Sequence, residues 1–499
     1  MRTKNSVKTF VWGVFFTVII AVLGLFKTKV LLQYLGAENV GIYQLFFQIF
    51  TYLSLADGGL TAGVTYCLYK PISDNDYQNI NAILNGAKSY FRKIGYVIIV
   101  LGLIISFNLS VFIKSTSLDY FYIQISFILF ILASAMSYFV STHAILYNAE
   151  QKLYKANNIN LSVTIIKSIL EIILVLIGFK LVTLMIMFLI LMLLRNLILV
   201  YISKKEHRYF DSNIKKDNTF KKETKNLMVR KVSQLIFENT DIILISKFLG
   251  LTHVVIYTFY YQIVHMIKLI VNKINSALLP SVGNLLISNK NKNIPIFDEI
   301  NSLLFFVGSI ICIPLYFMLS PFIEIWFGKD YVASNIISLF FVILLYVDII
   351  KIVLIVFADA SGNFKSMRKV SVFQSAANLI LSIILIFNYE IAGVLLATIL
   401  TNIIGDLLII PKVINEKVLG RTVSKYYYKC LKFIIGLSIN ILITILLFKD
   451  LLVNNLFEWL LWGVVIFTLN FIITMLYYYF IKELTFLNRI KQLLKKAEV

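Results

Sequence analysis

Charge is what this chain lacks. Asp, Glu, Lys and Arg make up 15% of its 499 residues, against about a quarter in soluble domains. Hydrophobic residues make up 59%, and mean hydropathy is +0.84. A water-soluble fold cannot hide that much apolar surface, so lipid is its natural solvent. Cysteine is also scarce. Cys67, Cys312 and Cys430 sit in or beside apolar runs, at spacings that suit neither a disulfide framework nor a metal site, and read as packing residues. There is no nucleotide-binding loop, metal cluster or nucleophile–base pair. This argues against an ATP-driven pump and calls for no cofactor. No polar segment is long enough for a folded soluble domain.

The charge that is present is lopsided, at +21 net. A nucleic-acid partner would need a basic face on a polar domain. Here the Lys and Arg occupy short stretches between apolar runs, as in the cytoplasmic loops of membrane proteins. Arg2, Lys4 and Lys8 precede the first apolar run with no small-residue cleavage site behind it. That run therefore reads as a span rather than a removed signal peptide.

A bilayer crossing needs about twenty predominantly apolar residues. Fourteen such spans fall at 9–34, 41–68, 94–113, 120–146, 159–179, 181–202, 232–250, 254–279, 301–322, 335–357, 370–388, 391–410, 431–448 and 457–480. The connections alternate strictly. One set is basic: the N-terminus, 70–93, 147–158, 203–231, 281–300, 358–369, 411–430 and the C-terminal tail. The other set is short and carries few charges. Positive-inside orientation puts the basic set, and both termini, in the cytoplasm. The expected class is an all-α polytopic membrane protein. Its expected parts are residues 1–202 (six spans), a basic linker at 203–231, residues 232–410 (six spans), and a C-terminal pair of spans with its tail at 411–499. The linker's lysines would also favour anionic lipid headgroups.

The two halves repeat. Leu35-Gly36 through Ile49 aligns without gaps to Leu249-Gly250 through Ile263, with Leu, Gly, Val, Ile, Tyr, Gln and Ile identical. Both copies lie between the first and second spans of a half. The interval of six spans makes the repeats parallel, about an axis along the membrane normal.

Ionisable groups within spans cost roughly 2.5–3.5 kcal/mol each on insertion scales and tend to face partners or cavities. Lys27 and Lys29 lie in the first span, and Lys27 aligns with Asp241 of the second copy. They suit an anion-binding site, or else a pair of lysines snorkelling to the interface. Asp57, in Asp57-Gly58-Gly59, suits a water-lining helix break or a hinge bonding freed amides. Lys167 and Glu171 at i,i+4, and Asp348 and Lys351 at i,i+3, can pair on one helix face. Arg195, Lys268 and Asp406 have no local partner and stand as cavity candidates. Arg230 and Glu238 suit an inner mouth. His143 and His265 read as hydrogen-bonded packing residues. The resulting candidates are Lys27, Lys29, Arg195 and Lys268 for substrate, and Asp57, Asp241 and Asp406 for ion coupling or gating.

Taken in order, these motifs resemble the polysaccharide flippase branch of the multidrug/oligosaccharidyl-lipid/polysaccharide exporter superfamily. The resemblance covers nearly the whole chain. It rests on the first-span basic residue with Leu35-Gly36-x-x-x-x-Gly41-Ile42-Tyr43, on Asp57-Gly58-Gly59-Leu60, on Asp241-Ile242-Ile243-Leu244 leading to Leu249-Gly250 and Ile256-Tyr257, and on Trp326-Phe327-Gly328-Lys329-Asp330-Tyr331-x-x-Ser334. It implies two pseudosymmetric six-helix bundles in a V around a central cavity, with the last two helices outside them. It also implies a substrate of undecaprenyl-diphosphate-linked oligosaccharide, moved from the inner to the outer leaflet of a bacterial plasma membrane. Lys27 or Lys29 would hold the diphosphate where relatives more often have Arg, as a point charge without the bidentate fork. Polysaccharide polymerase and glycosyltransferases are the implied protein partners. Capsule, O-antigen, teichuronic acid and exopolysaccharide units all fit as cargo. Competing expectations are a drug or cation antiporter of the same superfamily, which would favour acidic residues over Lys in the first half, and a membrane polymerase or glycosyltransferase. The short outer loops count against catalysis.

Overall fold

The computed structural model describes residues 2–487, apart from 58, 212, 218–219, 221–231, 234, 238 and 289–291. Its regular structure is helical throughout, with no strand among the described residues. The helices are α1 (Arg2–Leu35), α2 (Ala37–Leu53), α3 (Leu60–Ser73), α4 (Tyr77–Ser106), α5 (Tyr120–Ala135), α6 (Ser141–Ala149), α7 (Leu153–Leu176), α8 (Leu181–Glu206), α9 (Asp241–Phe248), α10 (Leu251–Ser288), α11 (Asn293–Phe327), α12 (Asn335–Ile350), α13 (Ile352–Ala360), α14 (Phe364–Asn402), α15 (Ile410–Val413), α16 (Val423–Phe448) and α17 (Leu456–Phe480). Hydrocarbon leaves backbone amides no water to bond, so a spanning chain satisfies them within helices.

Among the described residues, ten helical segments are long and apolar enough to cross a bilayer. They hold eleven of the fourteen expected spans, because Ser366–Val418 runs through two of them. The turn between those two is at Glu390, whose φ of 52° breaks the helix where the spans leave a loop of two residues. The other three expected spans are α1, the broken pair α2/α3, and the segment ending in α9. The third span begins earlier than its apolar run predicts. The side chain of Asp76 accepts from the Asn79 amide at 3.0 Å and caps α4, so the polar stretch 77–93 continues the helix.

The chain separates into two compact units, residues 1–255 and 256–499. In the first, α1 packs on α7, α5 on α8, and α9 on α2. Its core is aromatic: Phe46 lies 5.0 Å from Phe127, and Phe47 lies 4.9 Å from Phe130. In the second, α11 packs against α12 and α17, with Phe433 between Phe305 (5.0 Å) and Tyr478 (5.3 Å).

The repeat has matching backbone geometry. Gly36 (φ 84°) and Gly250 (φ 107°) each break the chain between two helices. Positive φ is strained for a residue with a side chain, which accounts for glycine at both places. Val40 N–H then donates to Gly36 O, and Val254 N–H to Gly250 O, each at 3.3 Å.

Candidate functional site

In the first unit, α1, α2, α7 and α8 gather charge around one buried carboxylate. Glu171 is fully buried. Its Oε2 lies 3.1 Å from Lys27 Nζ, and its Oε1 lies 3.7 Å from Lys167 Nζ. Tyr43 OH donates to Oε1 at 2.6 Å. Lys167 and Glu171 sit one helical turn apart on α7, so they share a face, and that face is turned toward α1. The Lys167 ammonium also stands 3.8 Å above the Phe188 ring centroid on α8, a cation–π contact. Two ammonium groups thus surround one carboxylate, leaving one positive charge in surplus. Lys27 is the more accessible of the pair, with 19% of its side chain exposed against 12% for Lys167. Lys29 is two residues from Lys27, about 200° around the helix, so the two lysines point in different directions. Lys27 is the one that meets Glu171.

The second unit holds a chain of alternating charges. Lys268 Nζ on α10 lies 2.8 Å from Asp348 Oδ2, and Lys351 Nζ lies 2.7 Å from Asp348 Oδ1. Lys351 also reaches Asp406 Oδ2 at 2.9 Å, while Gln374 Nε2 donates to Asp406 Oδ1 at 2.9 Å. Two cations face two anions, so this cluster is balanced. Lys351 sits at the joint between α12 and α13, and Asp406 lies in the π-helical stretch Ile403–Ile409. π-helical turns are rare and frequent at functional positions.

These contacts correct one expectation. Lys268, Asp406 and Arg195 do have partners, most of them on other helices. Lys268 and Asp406 pair across helices, and Arg195 donates to Asn160 Oδ1 (2.8 Å) and Asn196 Oδ1 (2.9 Å). Spacing along one helix reports only local partners, and every one of these bonds but that to Asn196 joins different helices. Asp57 closes a short 3₁₀ turn, Ser54–Asp57, between α2 and α3, and accepts from Thr61 Oγ1 at 3.4 Å. Gly59, with φ 84°, then precedes α3. Asp241 is buried at the start of α9. Immediately before it, Gln48 Nε2 donates to Asn239 O, and Tyr52 OH bonds Thr240 Oγ1. Arg230, Glu238 and Gly58 lie outside the described residues. Tyr43 is a partner of Glu171 that spacing along the chain does not reveal. Its identity with Tyr257 in the repeat is the one signal the sequence offers.

The family model described as "Polysaccharide biosynthesis protein" matches residues 6–285. No curated protein matches the chain. Among solved structures, the chain is similar to the lipid II flippase MurJ in an inward closed conformation, at TM-score 0.69 and 18% identity, covering 94% of this chain and 98% of that one. It is also similar to a multidrug resistance MATE family transporter of the MOP superfamily in an inward-facing conformation, at TM-score 0.63 and 13% identity, covering 79% and 96%. The Vibrio cholerae MATE transporter VcmN gives TM-score 0.55 and 14% identity, covering 82% and 96%. At such identities the shared property is the fold.

Proposed function

This chain belongs to the polysaccharide biosynthesis protein family, within the flippase and transporter fold of the MOP superfamily, and from that premise we propose that it carries undecaprenyl-diphosphate-linked oligosaccharide from the inner to the outer leaflet of a bacterial plasma membrane. Both termini and the basic connections face the cytoplasm in this reading. The observation that supports it best is the surplus positive charge at Lys27, Lys167 and Glu171, held among the helices of the first unit. A diphosphate is the anion such a site suits, and Lys27 is its first contact. A sugar headgroup cannot cross hydrocarbon unaided, whereas a polyprenyl tail can stay in lipid. Lys268 is the corresponding candidate in the second unit, and Asp57, Asp241 and Asp406 are candidates for ion coupling or gating. A drug antiporter is the weaker reading: the MATE transporter structures cover 79% to 82% of this chain, against 94% for the flippase.

The test is delivery of lipid-linked sugar to the outer leaflet by Lys27→Ala, Lys27→Arg and Lys27→Ala/Lys29→Ala variants at matched membrane abundance. The expected result is loss in the single and double alanine variants and retention in the arginine variant. Normal export by the double variant would overturn the anion-site assignment.

A further inference from the structure

Apart from its charge cluster, the second unit buries polar side chains from three helices that the described residues do not satisfy. Asn301 on α11 has no exposure, and neither its Nδ2 nor its Oδ1 meets a partner in hydrogen-bond geometry. Tyr478 on α17 is 1% exposed, and its hydroxyl is in the same position. So is the buried hydroxyl oxygen of Tyr346 on α12. Cys430 on α16 is their common neighbour. Its thiol approaches the Asn301 amide and lies within electrostatic reach of both tyrosines. Packing holds the two rings in place. Tyr478 stacks on Phe433 of α16 with centroids 5.3 Å apart and meets Phe306 of α11 edge-on at 5.4 Å. Tyr346 lies across Gly308 of α11, where a Cβ would come within 2.9 Å of its ring.

These groups do not suffice for one another. An asparagine amide offers two N–H groups and a carbonyl oxygen with two lone pairs, whereas a thiol is a weak donor and a weak acceptor. The Tyr426 hydroxyl approaches the same thiol, which leaves less of it for Asn301. Ser309, the hydroxyl near Tyr346, already donates to Phe305 O at 2.9 Å. Toward Tyr346 it can act only as an acceptor, and the lone pairs of the tyrosine oxygen stay open. Buried polar groups in native proteins are nearly always bonded, to water where protein groups fall short. A polar site with two to four partners is one that retains water.

We propose that Asn301, Tyr346, Tyr478 and Cys430 hold bound water between α11, α12, α16 and α17, and that this water fastens the C-terminal helix pair to the rest of the second unit. Water both donates and accepts, so it serves the amide N–H groups, the amide oxygen and the hydroxyls alike. Charge favours this neutral occupant over an ion. The charged groups at this end of α11 are already matched. Arg421 lies 2.7 Å from Asp298 Oδ1, and Lys429 lies 3.6 Å from Asp298 Oδ2 and 3.0 Å from Glu483 Oε2. Two cations face two anions there, and a further cation would stand uncompensated beside them. Ser302 Oγ, next to Asn301, donates to Glu483 O at 2.8 Å and ties the chain just past α17 to α11. The site does not depend on what the protein carries.

X-ray radiolysis of the full-length protein in nanodiscs, read by mass spectrometry, tests this directly, because hydroxyl radicals formed from bound water label the side chains beside it. Tyr478 and Cys430 should be labelled despite their burial, and Asn301→Leu should abolish that labelling. Tyr260, equally buried but bonded to the Ala333 amide at 3.0 Å, is the dry control. Labelling of Tyr478 and Cys430 no faster than that of Tyr260 would overturn the proposal. Melting of Tyr478→Phe and Tyr346→Phe gives a second readout that does not need Asn301→Leu to fold. Each should lower the midpoint, and the double variant should lose less than the sum, as groups sharing one network do. A rise with Tyr478→Phe would mean that its hydroxyl is buried without a partner, and additive losses would mean that the two hydroxyls share nothing. Either result would overturn the proposal. So would a midpoint that rises with Na⁺ or K⁺ but not with choline, which would assign the site to a cation.

Discussion

At Glu171 a carboxylate with no exposure is tolerated because two ammonium groups and a tyrosine hydroxyl meet it. Removing it leaves Lys27 and Lys167 facing one another, so Glu171→Gln should destabilise the protein by about 3–5 kcal/mol, the range for breaking a buried ion pair. Lys27→Ala leaves Lys167 and Tyr43 in place and should cost less, about 1–2 kcal/mol. Thermal unfolding in detergent checks the order. The reverse order would mean that the surplus charge lies elsewhere. Glu38, in the first turn of α2, behaves differently. Burial raises its pKa, but hydrogen bonds from Thr116 and from the side chain and amide of Ser117 outweigh that and hold the carboxyl below its usual range. Its contribution is therefore full above the unfolded value near ~4.3 and is lost as pH falls through the lower folded value. Glu38→Gln should lower the melting temperature at neutral pH and leave acid-side behaviour nearly unchanged, so that the acid-side loss disappears. Lys27 is visible in the sequence as an intramembrane cation, and the pairing of Lys167 with Glu171 is visible from i,i+4 spacing. Their union is not, because 144 positions separate Lys27 from Glu171 and only the packing of α1 on α7 joins them.

Among the elements, the last two helices are joined by buried polar contacts as well as by ring packing, since lipid gives apolar faces no hydrophobic reason to associate. Asn440 Nδ2 on α16 donates to Thr474 Oγ1 (2.9 Å) and Asn470 O (3.3 Å) on α17, and Thr444 Oγ1 reaches Asn470 Oδ1 at 3.4 Å. All four residues are buried. This pair is fastened to α11 at both ends. Arg421 bonds Asp298 through two nitrogens at 2.7 and 3.0 Å, and Trp459 Nε1 donates to Met318 O at 2.8 Å. Asn440→Leu should weaken the pair by about 0.6–1.7 kcal/mol, the measured span for interhelical bonds in a membrane, read as a fall in unfolding midpoint. An unchanged midpoint would show that α11 alone holds the pair. Apolar runs make both helices legible, yet their asparagines stand in the sequence as unremarkable polar residues. Hydropathy averages over a window and does not say which face a side chain takes. For the same reason the apolar run understates α4, whose first turns are helical without being apolar.

For the molecule as a whole, the span count and the Leu-Gly repeat are legible because both are properties of the chain read in order. The helix breaks at Gly36 and Gly250 have the same backbone form in the two copies. Outward movement of a diphosphate carries negative charge down an inside-negative potential, worth about 2.3 kcal/mol per charge per 100 mV. Transport by the reconstituted protein should therefore accelerate with an imposed inside-negative potential and slow when it is reversed. Dependence on a proton or sodium gradient alone would assign the driving force to the carboxylates instead. The most direct measurement places the purified protein in vesicles with fluorescent undecaprenyl-diphosphate-linked oligosaccharide in one leaflet and follows its appearance in the other. The account predicts transfer well above protein-free vesicles, abolished by Lys27→Ala. Transfer no faster than in protein-free vesicles, with the protein folded, would contradict it.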